Sequence, residues 1–224
     1  MNFELERMID VSAVRSGNTY EDVSAAIDIA MKYHFINVHT FPCWTKHVAK
    51  SLSGYPDIYA GAPVGFPSGG HKTAVKILEA IQLVEDGAKE IDIVMNINRL
   101  KSGQFSLVQD ELEAIIACVP SEITKKVIIE INCLSDKEML DACALVMASG
   151  ADYIKTGTGW IPGDSNLSRI EKITGFTKGR IKIKAAGGIR TLNDCIRLHE
   201  LGVSRIGIGV DTAKKIMDEW KAAL

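Results

Sequence analysis

The feature that most constrains this chain is a strict alternation of strand-like and helix-like segments from one end to the other. Eight candidate strands are each followed by a segment with apolar residues at helical spacing, and no long linker or composition break interrupts them. The predicted strands cover residues 8–14, 35–40, 57–65, 90–96, 125–132, 180–185 and 205–209, and the sixth strand in chain order contains Lys155.

Alternation of this kind implies parallel strands that are joined by crossover helices. Eight such units in 224 residues come close to the roughly 250 residues of a typical (β/α)8 barrel. The sequence therefore predicts an α/β fold, a (β/α)8 TIM barrel, as a single domain over residues 1–224. A doubly wound open sheet is the alternative architecture.

A short internal repeat favours the barrel. A glycine that ends a helix, a turn and an isoleucine that enters a strand recur at residues 87–92, 150–155 and 202–207. These segments lead into the fourth, sixth and eighth strands, and alternate strands of such a barrel contribute to one interior layer. Asp92 and Lys155 hold the same position in the repeat, so we expect both side chains to point into the barrel.

Several predicted strands carry polar residues at every second position, although strands covered on both faces are normally almost continuous apolar runs. Asp92 alternates with the isoleucines of its strand, polar residues alternate along 126–132, and Lys182 and Lys184 alternate with two further isoleucines. Active sites in this fold lie at the C-terminal ends of the strands. Lys184 is therefore a better candidate for an active site than Lys182.

Lys155 has three interpretations, two structural and one chemical. Its aliphatic stem could be buried with its ammonium group in water, or it could belong to ion pairs inside the barrel. Buried ion pairs rarely offset the desolvation of their charges, so several of them favour chemistry over stability. A lysine close to a second lysine has a lowered pKa, and a neutral buried amine can form a Schiff base. Lys155 with Lys184 beside it, and Asp92 as a proton carrier, would make such a site.

Charge and hydropathy exclude several classes of partner. The chain has 26 lysines and arginines and 28 acidic residues, a formal net charge of −2. Because the charges are interspersed, we expect neither a nucleic-acid nor a membrane partner. Acidic residues within 1–10 argue against a signal peptide, and no apolar run approaches the ~18 residues of a transmembrane helix.

Cysteine and histidine usage indicates the compartment and the absence of a metal. The 5 cysteines are odd in number and never spaced C-x-x-C, which favours small core residues in a reduced, cytoplasmic protein. The histidines show no spacing typical of metal ligands. We therefore expect no metal site and no cofactor.

The motifs resemble those of the deoxyribose-phosphate aldolase family, class I aldolases built on a TIM barrel. The matching segments follow the family's order through most of the chain. They are Val64-Gly65-Phe66-Pro67, Gly87-Ala88-Lys89-Glu90-Ile91-Asp92-Ile93-Val94-Met95-Asn96, Lys126-Val127-Ile128-Ile129-Glu130, Gly150-Ala151-Asp152-Tyr153-Ile154-Lys155-Thr156 and Lys184-Ala185-Ala186-Gly187-Gly188-Ile189-Arg190-Thr191.

The resemblance implies a role for each of three residues. Lys155 would form the Schiff base, Lys184 would lower the pKa of Lys155 and join a proton relay, and Asp92 would be the carboxylate of that relay. The implied reaction is the reversible cleavage of 2-deoxy-D-ribose 5-phosphate to glyceraldehyde 3-phosphate and acetaldehyde. The protonated imine is the electron sink, so the reaction requires neither a metal nor a cofactor.

The segments expected to hold the substrate and its phosphate depart from the family pattern. Gly157 stands where the family usually has serine, Trp160 is bulky, and residues 207–211 replace small or hydroxylated residues with Gly-Ile-Gly-Val-Asp. Backbone N–H groups at a helix N-terminus can still bind phosphate, although Asp211 there would repel it. The predicted binding residues are Thr156, Gly157, Thr158, Gly159, Gly187, Gly188, Gly207 and Gly209.

Two other functions stay open at this point. One is a class I aldolase of the same type that acts on a different sugar phosphate or carbonyl donor. The other is a non-catalytic barrel that binds a phosphorylated metabolite, with the lysines as anion contacts. In each case the partner is a small molecule, and barrels of this size often pair, so a homodimer is the expected assembly.

Overall fold

A computed structural model describes residues 3–163 and 166–223 of the chain. Its eight strands are parallel and close into a barrel in chain order, with the last strand paired to the first. They are β1 (Ile9–Ala13), β2 (Asn37–Thr40), β3 (Tyr59–Val64), β4 (Glu90–Val94), β5 (Thr124–Ile128), β6 (Tyr153–Lys155), β7 (Lys182–Ala186) and β8 (Arg205–Gly209). The predicted TIM barrel is confirmed, and the open sheet is wrong. Residues 1, 2, 164, 165 and 224 of the predicted domain lie outside the described residues.

The described residues form nine α-helices around the barrel. They are α1 (Tyr20–Tyr33), α2 (Thr45–Ser51), α3 (Thr73–Glu85), α4 (Ile97–Lys101), α5 (Phe105–Ala117), α6 (Asp136–Ala148), α7 (Leu167–Thr177), α8 (Leu192–Glu200) and α9 (Val210–Ala222). Short 3-10 turns span Leu5–Met8, Pro42–Trp44 and Ile131–Cys133.

Local sequence sets the start of several helices. The predicted capping box of Ser135 and Glu138 opens α6, and Thr191 caps α8 as expected. Each capping hydroxyl accepts a hydrogen bond from a backbone N–H that has no partner within the helix. These caps fix where the chain leaves one strand and begins the crossover to the next.

Three segment boundaries differ from the prediction. β5 ends at Ile128 rather than at residue 132, because Glu130 adopts a left-handed conformation with φ 49° and a 3-10 turn follows. Asn96 does not continue β4; its side chain accepts a hydrogen bond from the N–H of Arg99 and caps α4, a helix that was not predicted. α9 begins at Val210, one residue before the predicted Asp211.

The apolar core lies between the strands and the surrounding helices. Ile91 and Ile93 of β4, Ile154 of β6 and Ile183 of β7 belong to this layer and are almost fully buried. Because side chains alternate along a strand, the residues between these isoleucines point into the barrel. The interior of the barrel therefore receives the charged residues of the same strands.

Among the residues described, no helix combines the length and the apolar character needed to cross a membrane.

Candidate active site

The three residues predicted to act together lie within hydrogen-bond distance of one another. Lys155 is the last residue of β6 and lies beside Lys184 of β7 in register. Lys155 Nζ donates to Asp92 Oδ2 at 2.7 Å, and Lys184 Nζ donates to the same oxygen at 2.8 Å. One carboxylate oxygen of β4 thus joins two amines, one from β6 and one from β7.

A second buried carboxylate, Asp10 of β1, faces Lys184. Asp10 Oδ2 lies 2.5 Å from Lys184 Nζ, and the aspartate is completely buried. Sequence analysis did not assign it to the site, although Asp10 and Ser12 interrupt the apolar residues of their strand at period two. Lys184 therefore pairs with both Asp10 and Asp92, whereas Lys155 pairs with Asp92.

A layer of charged residues closes the barrel below this cluster. Lys126 Nζ donates to Glu90 Oε2 and to Asp92 Oδ1, the latter at 3.2 Å, and lies 3.7 Å from Asp10 Oδ2. Arg205 pairs with Glu90 and lies 3.4 Å from Asp10 Oδ1. Burial opposes charge on Lys126, but the carboxylates of Asp92, Glu90 and Asp10 outweigh it and raise its pKa. This layer is a set of stable ion pairs.

The environment of Lys155 favours a neutral amine. Burial lowers its pKa, the Asp92 carboxylate partly opposes this, and the positive charge of Lys184 lowers it further, to about 8. With that pKa, about a tenth of the amine is unprotonated at pH 7. Lys155 can therefore act as a nucleophile near neutral pH.

Asp92 stays ionised in the same surroundings. Burial alone would raise its pKa, but the ammonium groups of Lys126, Lys155 and Lys184 hold it well below its ordinary value. Both of its oxygens already accept hydrogen bonds from lysines. Asp92 is thus a bridge that links the amines and a weak acceptor for a further proton.

His39 of β2 also reaches this cluster and was not predicted from the sequence. Its side chain is buried, and Nε2 lies 3.6 Å from Asp92 Oδ2. The one sequence signal is that Asn37 and His39 interrupt their strand at alternate positions, as Asp92 does in β4.

A cavity of about 700 Å³ opens above the lysines at the C-terminal ends of the strands. Lys155, Lys184 and His39 line it. Of the predicted binding residues, Thr158, Gly159, Gly187, Gly188, Gly207 and Gly209 line the cavity as well. A chamber of this size suits a small metabolite.

Thr156 and Gly157, which were also predicted to bind substrate, are not in the cavity lining. The Thr156 hydroxyl donates to the carbonyl of Ala186 at 3.1 Å and accepts from the N–H of Ala186 at 2.9 Å, which fastens the end of β6 to β7. At Gly157 an added Cβ would lie 2.9 Å from Glu130 Oε1. A side chain at this position would therefore require the Glu130 carboxylate to shift.

Glu130 holds the loop after β6 in place. Its Oε2 accepts hydrogen bonds from the N–H of Thr158 at 3.1 Å and from the Thr158 hydroxyl. Burial raises the pKa of Glu130, while the hydrogen bonds from Thr158 oppose the rise. The left-handed turn at Glu130 that ends β5 thus brings its carboxylate beneath the loop that carries Thr158 and Gly159.

Two arginines and a helix terminus make one wall of the cavity suitable for an anion. Arg15 and Arg190 line this wall, and Gly209 is the N-cap of the 13-residue helix α9. An Arg15 guanidinium nitrogen donates to the carbonyl of Gly159 at 2.8 Å. Asp211, in the first turn of α9, also lines the cavity and carries the opposite charge.

Trp160 adds an apolar surface to the cavity lining, next to Arg15. Its Nε1 donates to the carbonyl of Val14 at 2.9 Å, and its ring packs edge-on against Phe66, with ring centroids 5.6 Å apart. Phe41 packs edge-on against both rings. The bulky residue noted in the sequence therefore narrows the mouth of the cavity.

The chain is similar to known proteins along nearly its whole length. It is 37% identical over 215 residues to deoxyribose-phosphate aldolase from Klebsiella pneumoniae subsp. pneumoniae. This alignment covers 95% of this chain and 86% of that relative. The solved structure of QR15, an aldolase, is 32% identical with a TM-score of 0.90 and covers 97% of this chain and 98% of its own. A tetrameric deoxyribose phosphate aldolase from Aeropyrum pernix is 26% identical with a TM-score of 0.88, over 98% of this chain and 92% of its own. No protein-family model matches the chain.

Proposed function

Since the chain belongs to the deoxyribose-phosphate aldolase family, we propose that it acts as a class I aldolase with Lys155 as its nucleophile. It cleaves 2-deoxy-D-ribose 5-phosphate reversibly to glyceraldehyde 3-phosphate and acetaldehyde. The observation that carries the assignment of Lys155 is a buried amine with a pKa of about 8 that faces the cavity. A lysine of this kind is the usual Schiff-base nucleophile.

The first step is attack by the neutral amine of Lys155 on C1 of the open-chain sugar. The resulting carbinolamine loses water, and the imine nitrogen is protonated. Asp92 Oδ2 contacts both Lys155 and Lys184, so protons leave and reach the reacting nitrogen along this contact. Lys184 supplies the positive charge that lowers the pKa of Lys155.

The second step breaks the bond between C2 and C3. A base takes the proton of the C3 hydroxyl, C3 becomes the carbonyl carbon of glyceraldehyde 3-phosphate, and the electron pair moves to the iminium group to give an enamine. The enamine is then protonated at C2 and hydrolysed to acetaldehyde. The iminium nitrogen on Lys155 is the electron sink throughout.

The wall formed by Arg15, Arg190 and the N-terminus of α9 receives the phosphate. Charge-assisted contacts from arginine suit a phosphate group, and the N–H groups of a helix N-terminus add to them. Gly187 and Gly188 allow close approach of the backbone on the neighbouring strand end. Together these groups offset the repulsion from Asp211.

The nucleophile is tested by reduction with borohydride in the presence of acetaldehyde, followed by peptide mass spectrometry. We expect a two-carbon adduct on Lys155, and no adduct and no cleavage with Lys155→Met. Lys182→Met is the matched control, because this exposed lysine of the neighbouring strand β7 does not line the cavity. A Lys155→Met protein that still cleaves the substrate contradicts the assignment.

The substrate is tested with phosphorylated and unphosphorylated deoxyribose. We expect kcat/KM for the 5-phosphate to exceed that for the free sugar by roughly 10-fold or more, since two or more charge-assisted contacts are lost without it. Arg15→Gln is expected to reduce this ratio. Equal kcat/KM for the two sugars would point to an aldolase for a less charged aldehyde.

For the assembly we propose a homodimer. Val75 and Leu78 of α3 are large apolar side chains that are 50% and 61% exposed, and they lie on the outer face of one helix. Burial of such a face against a second copy removes this apolar area from water. Sedimentation equilibrium is expected to give twice the mass of one chain, and a mass of one chain that does not change with concentration contradicts the pairing.

A cytoplasmic location is proposed for the same chain. All five cysteines are free thiols, and burial raises the pKa of Cys143 and Cys195 to about 12. Free thiols that are not paired suit a reducing compartment. Thiol titration of the protein, unfolded without reductant after purification from cells, is expected to find all five thiols free.

A further inference from the structure

His39 is the one histidine in the cavity lining, and it lies inside the barrel. It pairs in register with Ser12 of β1 and Gly61 of β3. An added Cβ at Gly61 would lie 2.7 Å from His39 Nδ1. The imidazole therefore occupies space that the neighbouring strand leaves open by having glycine.

The ring nitrogens of His39 have no hydrogen-bond partner among the residues that the structure describes. The side chain is nevertheless almost completely buried. A buried polar group without a partner destabilises the fold unless a ligand or water satisfies it. Because His39 lines the cavity, a bound substrate is in a position to supply that partner.

Burial, together with the neighbouring ammonium groups, keeps the ring of His39 neutral. Burial lowers its pKa well below the ordinary value; Asp92 opposes this, while Lys184, Lys155 and Lys126 lower it further. A neutral imidazole has one nitrogen that can accept a proton. Asp92, by contrast, has both carboxylate oxygens occupied by hydrogen bonds from three lysines.

We propose that His39 is the catalytic base that takes the proton of the C3 hydroxyl during carbon–carbon bond cleavage. The proposal rests on the proposed aldolase function. His39 Nε2 lies 3.6 Å from the oxygen, Asp92 Oδ2, that accepts a hydrogen bond from Lys155 Nζ at 2.7 Å. A sugar joined to Nζ through C1 has its C3 oxygen a few bonds from Nζ, and Lys155 and His39 line the same cavity.

Protons and electrons balance in this step. The O–H bond at C3 breaks and its proton goes to the imidazole, the C3–O bond becomes a carbonyl, and the C2–C3 pair becomes the enamine double bond. The iminium nitrogen becomes neutral as the imidazole becomes positive. The enamine carbon C2 then takes a proton and His39 releases one, so the site ends with its original proton count.

The test compares cleavage with trapping in His39→Gln. Glutamine keeps polar atoms in the same space but cannot act as the base. We expect kcat for deoxyribose 5-phosphate to fall by about 10²–10⁴-fold, the usual contribution of a general base. Borohydride trapping of acetaldehyde at Lys155 involves no C3 hydroxyl, and its rate is expected to stay within about 3-fold of the wild type. His71→Gln, the same substitution at an exposed loop residue outside the cavity lining, should change neither rate.

Two results overturn the proposal. Retention of kcat within about 3-fold in His39→Gln shows that His39 is not the base, and a parallel fall of cleavage and trapping shows that it only shapes the site around Lys155. His39→Asn provides a second, smaller amide, and trapping reports whether each variant keeps a folded site. If the proposed aldolase function itself were wrong, the result would be different: the wild type would neither trap acetaldehyde nor cleave the sugar phosphate.

Discussion

Lys126 and Lys155 occupy neighbouring layers of the same barrel and hydrogen-bond to the same aspartate, yet their pKa values move in opposite directions. Lys126 donates to Asp92 Oδ1 at 3.2 Å, and Lys155 donates to Oδ2 at 2.7 Å. The pKa of Lys126 is raised, whereas that of Lys155 is lowered to about 8. Both side chains are buried, so burial alone does not make a nucleophile.

The charges next to each lysine explain why the pKa values of Lys126 and Lys155 move in opposite directions. Lys126 faces the carboxylates of Glu90 and Asp10 in addition to Asp92. Lys155 lies one layer higher at the end of β6, with Asp92 on one side and the positive charge of Lys184 nearby. The lower layer thus stabilises its charges, and the upper layer keeps one amine reactive.

Removal of Lys126 is expected to have the largest effect on stability. Lys126→Met leaves buried carboxylates with less compensation, and breaking such a network typically destabilises a protein by about 3–5 kcal/mol. Urea denaturation at pH 7 measures the loss. Lys137→Met, at an exposed lysine paired with Asp141, serves as the control and should change stability by less than about 1 kcal/mol. A Lys126→Met protein as stable as the wild type would refute the structural role.

The same substitution at Lys155 is expected to stabilise the protein at pH 7. Its pKa is about 8 when folded against 10.5 ordinarily, so between these values the unfolded chain binds more protons. Burial of the Lys155 amine therefore destabilises the folded protein fully below pH 8, and this destabilisation disappears as the pH rises toward 10.5. Lys155→Met should therefore gain about 1–3 kcal/mol at pH 7 and lose most of that gain by pH 10. Urea denaturation at both pH values measures it, and a loss of stability at pH 7 contradicts the account.

Removal of Lys184 is expected to make Lys155 less nucleophilic at pH 7. Without this positive charge the pKa of Lys155 rises, and each unit reduces the neutral fraction at pH 7 about 10-fold. In Lys184→Met the pH midpoint for trapping acetaldehyde at Lys155 should therefore move upward from the wild-type value near 8. The control is again Lys182→Met on the same strand. An unchanged or lower midpoint would show that Lys184 does not tune Lys155.

The sequence predicted the barrel and three members of the upper cluster because both follow from local periodicity. Isoleucines alternating with Asp92 and with Lys184 placed those polar residues inside, and the glycine–isoleucine repeat aligned Asp92 with Lys155. Asp10 and His39 show the same alternation in their strands, but their contacts with Lys184 and Asp92, like the contact of Lys126 with Asp10, depend on which strands come together inside a closed barrel. That information lies in the closure of the sheet and not in any one segment.

The contacts of the loop residues, too, depend on the folded structure and not on their position next to Lys155 in the sequence. Thr156 and Gly157 follow Lys155 directly and were predicted to bind substrate, but the Thr156 hydroxyl turns toward β7 and Gly157 makes room for Glu130. Glu130 takes that position only because β5 ends in a left-handed turn. Arg15 and Arg190 reach the cavity from loops that are distant in the sequence, so no sequence spacing brings them together.

The central claim is that charge balance, at equal burial, makes Lys155 reactive and Lys126 inert. NMR titration of the lysine Cε carbons tests it without requiring access to the buried groups, and spectra of Lys155→Met and Lys126→Met assign the two signals. We expect the Lys155 signal to titrate with a midpoint near 8, while Lys126 remains charged above the ordinary lysine value of 10.5. Two signals that titrate together near 10.5 would contradict the claim.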